Sequence, residues 1–170
     1  MFSRITEMNM KYGARNLDGN NGTLIRSACK SGNIFVVRDL IDKGVNIHIL
    51  SDDSILLAAN NGHEEVIKIL MPYVPNLEYA LRGACLRGHE GVARMLVEYD
   101  KNRGIKTCIN KDTFLWACLS GKLSLVKFLC GILEDRNEKI AHGDIDECIF
   151  WTQKRNNIDI LEFLEEIKTE

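Results

Sequence analysis

The apolar residues of the chain fall into one short pattern five times. The segments are TLIRSACKSGNIFVVRDLI from Thr23, DSILLAANNGHEEVIKILM from Asp53, YALRGACLRGHEGVARMLV from Tyr79, DTFLWACLSGKLSLVKFLC from Asp112 and ECIFWTQKRNNIDILEFLE from Glu147. They align without gaps on a central anchor: Gly32, Gly62, Gly88, Gly121 and Asn156, at spacings of 30, 26, 33 and 35 residues. Seven positions before the anchor stand Ile25, Ile55, Leu81, Phe114 and Ile149, and four before it Ala28, Ala58, Ala84, Ala117 and Thr152. Four after it stand Val36, Val66, Val92, Leu125 and Ile160. Five after it stand Val37, Ile67, Ala93, Val126 and Leu161, and eight after it Leu40, Leu70, Leu96, Leu129 and Leu164.

Offsets of three and four mark one face of a helix. The columns before the anchor predict a first helix, and those after it a second. The chain must reverse between them. Glycine reaches the left-handed backbone region without steric cost, and asparagine is the next best residue there. The column of small residues predicts a close approach between first helices. One helix pair of this size cannot bury its own apolar face, so the copies are expected to stack into a continuous core.

The pattern T-x-L-x-x-A-[AC]-x-x-G-[HN]-x-x-x-V-x-x-x-L resembles the ankyrin repeat, whose period is about 33 residues. The runs LLAANNGHEEVIKIL in Asp53–Met71 and GACLRGHEGVARMLV from Gly83 lie closest to it. The resemblance covers Thr23 to about Glu166. It implies an all-α ankyrin-repeat solenoid of about five helix–turn–helix repeats, over residues 23–170. Residues 13–22, GARNLDGNNG, resemble the end of a preceding repeat, so residues 1–22 are expected to form an N-terminal capping half repeat. Departures carry their own expectations. Only Thr23 survives of the family's T-P-L-H start. Copies two and three are 26 residues apart, with Pro72 and Pro75 between them, which predicts a short connection. The last copy lacks both the alanine and the glycine, and its EEIKTE end is polar, as suits a solvent-facing cap. The texture is similar to ankyrin proteins of large DNA viruses.

What the family resemblance implies about function is protein–protein interaction through a concave face and loop tips. The family's contact positions fall here just before each anchor: Lys30, Asn60 and Asn61, Leu86 and Arg87, Leu119, then Lys154 and Arg155. Ten positions before the anchor, Asp52, Glu78, Lys111 and Asp146 add charges of mixed sign. Leu86 and Leu119 are apolar where solvent is expected. The expectation is an adaptor or scaffold, monomeric, holding another protein. The alternative is a viral or host-mimicking inhibitor of a signalling or ubiquitin pathway.

Composition narrows the rest. The 170 residues are 45% hydrophobic and 27% charged, an ordinary globular balance. The net charge of -2 and pI near 6.1 do not favour nucleic acid, which selects for a basic excess. No run approaches the roughly 20 apolar residues that span a bilayer, so no membrane insertion is expected. MFSRITEMNMKYGARNLDG has no apolar core followed by a small-residue cleavage site, which predicts an intracellular, cytoplasmic protein (the host cytoplasm for a viral one).

Candidate chemistry is sparse. There is no phosphate-binding G-x-x-x-x-G-K-[ST], no G-x-S-x-G and no H-E-x-x-H. No C-x-x-C or zinc-finger spacing occurs among the six cysteines, and no cofactor or metal is implied. Cys29, Cys85 and Cys118 share one position beside the alanine column and read as core filler; Cys108 and Cys130 lie outside it and could be exposed thiols. His63 and His89 follow the anchor glycines and read as caps on the turn. Trp116 and Trp151, both five before the anchor, read as packing between the fourth and fifth copies. No enzyme activity is expected.

Overall fold

The computed structural model describes residues 20–45, 53–106 and 109–169. They form ten α-helices: α1 (Asn20–Ser31), α2 (Ile34–Asp42), α3 (Asp53–Asn60), α4 (Glu64–Leu70), α5 (Glu78–Arg87), α6 (Glu90–Asn102), α7 (Lys111–Leu119), α8 (Leu123–Asp135), α9 (His142–Arg155) and α10 (Ile158–Thr169). No strand occurs among the described residues. Each consecutive pair is one repeat, so the five aligned copies are five helical hairpins. The expected capping half repeat over residues 1–22 lies outside the described residues, except that α1 already begins at Asn20.

The reversals follow from the anchors. Gly32, Gly62, Gly88 and Gly121 have φ between +70° and +77°, and Asn156 has φ +61°. In four of the five turns the next amide donates back to the small-residue column: Asn33 to Ala28 O, His63 to Ala58 O, His89 to Ala84 O and Asn157 to Thr152 O. This left-handed cap satisfies carbonyls that the helix end would otherwise orphan. At the fourth turn the Lys122 amide donates to the Ser120 hydroxyl instead. Glycine is required at two of these turns for a second reason. A Cβ on Gly32 would stand 2.6 Å from His63 Nδ1, and one on Gly88 2.8 Å from Lys122 Cγ, so the following repeat occupies the space a side chain would need.

The chain folds as two compact units, Met1–Pro75 and Asn76–Glu170. In the first, α1 packs on α3 and α2 on α4. Ile25, Cys29, Val37, Ile55, Ala58, Ile67 and Leu70 are all at most 1% exposed. The unit closes through a 3-10 turn, Met71–Tyr73, whose Met71 is buried together with Val74. Only Val74–Leu77 separate that turn from α5, which is the short connection expected from Pro72 and Pro75.

In the second unit α5, α7 and α9 pack in succession, and α8 meets α10. Phe114, Leu81, Leu96, Leu125, Leu129 and Leu164 have no exposed surface. Each such side chain contributes roughly 1.5–3 kcal/mol by leaving water. Asn110 caps α7 by accepting from the Thr113 amide at 2.9 Å and its hydroxyl at 3.1 Å, and its own amide reaches back to Glu78 at 3.0 Å. The column residues that stay half-buried, Val36, Ile149 and Leu161, belong to the first and fifth repeats.

Candidate binding surface

Each first helix ends in the left-handed turn, so the residues just before the anchor stand at its C-terminal tip. In the first unit Lys30 and Asn61 are exposed and Asn60 is half-buried. The Asn61 amide is drawn back to Leu57 O at 2.8 Å. The Lys30 carbonyl accepts from His63 Nε2 at 2.9 Å, while its ammonium stays in solvent. In the second unit Leu86 and Arg87 are exposed, Leu119 is half-buried, and Lys154 and Arg155 are exposed. These five share one register on three helices packed side by side, so they form a row. The Lys154 ammonium lies 5.0 Å from the Phe150 ring, a cation–π contact.

The charges ten positions before the anchors behave differently. Lys111 pairs with Glu147 at 2.6 Å and Asp144 at 3.6 Å, and both contacts raise its pKa, Glu147 the more. Glu78 accepts from Asn110 at 3.0 Å, and Asp146 pairs with Lys168 at 2.5 Å. Asp52 lies outside the described residues. Arg26 and Asp53 make the matching link in the first unit, at 3.2 Å. These ionic groups join repeats or helices to one another. In contrast, Lys30, Arg87 and Arg155 form no ion pair among the described residues.

Three readings of single residues change. Cys130 is buried, not an exposed thiol. It faces a small cavity of about 250 Å³ shared with His142 and Ile145, and burial pushes its pKa up to about 12. Burial does the same to Cys29 and Cys85, and Cys118 is pushed higher still by its hydrogen bond with Cys148 and by burial. A thiol so shifted is not ionised at neutral pH and makes a poor nucleophile. Cys108 lies outside the described residues. Trp151, expected to be covered between repeats, is 44% exposed and makes a T-shaped ring contact with Phe150, centroids 5.3 Å apart; Trp116 is half-buried. His63 and His89 occupy N-cap positions, but neither side chain makes the cap bond, and His63 instead crosses to the preceding repeat.

Among the described residues no group of three or more His, Cys, Asp or Glu is placed to hold a metal ion, and no helix is long and apolar enough to cross a membrane. Sequence reasoning missed Tyr79, which is 51% exposed with the Arg82 guanidinium 5.1 Å from its ring. Nothing in the local pattern marks it as exposed.

The model of three tandem ankyrin repeats matches residues 55–140. The chain belongs to the ankyrin repeat family. That match runs from α3 to the residues just before α9, and the hairpins on either side of it repeat its turn geometry. No curated protein matches the chain. Ankyrin repeats generally serve protein–protein interaction and are typically not enzymes.

Proposed function

We propose that this ankyrin protein is an adaptor or scaffold that holds a partner protein at the tips of its first helices. In the second unit the contact row is Leu86, Arg87, Leu119, Lys154 and Arg155; in the first it is Lys30, Asn60 and Asn61. One observation carries the reading. Glu78, Lys111 and Asp146, ten before their anchors, are engaged within the fold, while Lys30, Arg87 and Arg155, one or two before theirs, stand in solvent with no ion pair among the described residues. Charges with no structural partner are available to an external one.

The row in the second unit is basic and apolar. Its complement is a protein surface on which carboxylates alternate with aliphatic side chains. Such contacts steer encounter and weaken as salt rises. The partner acts in the cell interior, and the protein meets it as a monomer in dilute solution.

The test is crosslinked affinity capture from the native host, comparing wild type with the double variant Arg87→Glu, Lys154→Glu. Both side chains are exposed, so the melting curve should not move. A protein captured by the wild type and lost from the variant is the expected result. An identical set of proteins in both captures, or none in either, overturns the reading. Signalling and ubiquitin-pathway reporters in cells then separate a scaffold, which leaves them unchanged, from an inhibitor.

A further inference from the structure

Contacts between successive repeats follow one register in both units. Positions facing the following repeat lie ten, six, three and two before the anchor, and two and six after it. The pairs are Glu78 with Asn110, Arg26 with Asp53, Cys29 beside the buried Ser54 as Cys118 is beside Cys148, and the Lys30 carbonyl with His63. After the anchor come Glu90 with Ser124, Arg94 over Phe128 at 4.1 Å, and Lys127 over Phe163 at 5.3 Å. The receiving positions lie eleven, nine and eight before the next anchor, and one, three and seven after it.

On the fifth repeat the forward positions are Asp146, Phe150, Gln153, Lys154, Ile158 and Glu162. Phe150 is 50% exposed and Ile158 is 59% exposed. Their equivalents on the fourth repeat, Leu115 and Leu123, are half-buried with α9 and α10 packed beyond them. At these two positions the fifth repeat carries the apolar residues of an internal repeat, although Gln153 replaces the small residue three before the anchor. Its tail is polar, but its forward face is not that of a solvent cap. On the first repeat the receiving positions include Thr23, Leu24, Asn33, Phe35 and Asp39. Leu24 is 48% exposed and Phe35 is 87% exposed.

We propose that the forward face of repeat five receives the first repeat of a second copy of this chain, in the register that joins repeats within each unit. Ile158 then lies against Phe35 of the second copy, as Glu90 lies against Ser124. Phe150 covers Thr23, Gln153 meets Leu24, and the Asn33 amide reaches the Lys154 carbonyl as His63 reaches that of Lys30. Two pairs oppose the match: Gln153 faces Leu24, and Glu162 faces Asp39, where internal repeats set a cation over an aromatic ring. Asp39 is already paired with Lys43 at 2.6 Å, which lessens but does not remove the repulsion. The contact is therefore weak and concentration-dependent, which leaves dilute protein monomeric. A head-to-tail contact uses two different faces, so an open assembly keeps one free face at either end and can take up further copies.

Sedimentation velocity of the full chain across a concentration series tests this. The weight-average sedimentation coefficient of the wild type should rise with concentration and pass beyond the dimer. Ile158→Glu alone and Phe35→Glu alone should each abolish the rise. An equal mixture of those two variants should associate again and stop at the dimer, since each retains one competent face. Glu162→Lys should shift the rise to lower concentration by setting a cation against Asp39. Circular dichroism checks that each variant is folded, and Phe35→Ser is the milder substitute. A wild type that stays monomeric up to its solubility limit overturns the proposal, whether residues 1–19 or a different protein covers Phe35. So does a mixture that stays monomeric, or single variants that associate like the wild type.

Discussion

The third and fifth repeats are built from the same columns and meet different surroundings. In the third, Leu81, Ala84, Val92 and Leu96 are at most 1% exposed. In the fifth, Thr152, Ile160 and Leu164 are equally buried, yet Phe150, Trp151 and Ile158 stand in solvent. The columns that hold a hairpin together internally are satisfied in both. What differs is the neighbour beyond. Burial in a repeat fold thus has two sources, the partner helix and the adjacent repeat, and they can be removed separately.

The sharpest way to break this contrast is truncation of one side chain buried within its hairpin and of one that awaits a neighbour beyond. Leu96→Ala empties a core site and should cost about 2–5 kcal/mol. Phe150→Ala removes a larger side chain from the fifth repeat and should stay within about 0.5 kcal/mol. Urea unfolding of dilute protein measures both, and similar losses would mean that Phe150 is covered after all.

The turns give a second, smaller contrast. Gly88→Ala forces a side chain into the left-handed region, at about 1–2 kcal/mol, and also displaces Lys122. Asn156→Gly does the reverse and should raise stability by under about 1 kcal/mol. If both substitutions move the melting temperature in the same direction, the turns of the two repeats are not equivalent.

The smallest effect concerns a contact that the third repeat makes and the fifth lacks. Glu90 accepts from the Ser124 hydroxyl and from Arg94, and these bonds lower its pKa, Ser124 the more. A depressed carboxylate pKa stabilises the fold above the unfolded-state value. That stability is lost as the pH falls through the folded value. Glu90 is largely solvated, so Ser124→Ala should cost under about 1 kcal/mol at neutral pH, and the difference from wild type should vanish in acid. A loss that persists in acid would place the effect in packing and not in the carboxylate.

Much of this was legible because it is periodic. The anchors, the small-residue column and the buried aliphatic columns recur five times, and one hairpin geometry satisfies all of them. The left-handed Asn156 was readable for the same reason, despite its different chemistry. Contacts set by the adjacent repeat were not legible. His63 reads locally as a helix cap, but its partner lies 33 positions back in the chain. Cys130 carries no column signature, although it is buried beside Ile145 and Cys148 of α9. Trp151 shares a column with Trp116, and a column cannot state whether another repeat will cover it. The candidate row before the anchors was visible as positions, while the separation of its free charges from the engaged ones required side-chain geometry.

The bond from His63 to the Lys30 carbonyl has a consequence for how such a protein can change. It grips the main chain, which every residue type supplies, and leaves the side chain at position 30 uncommitted. Substitutions there can redirect recognition without loosening the stitch between neighbouring hairpins, so specificity is able to drift while architecture stays put.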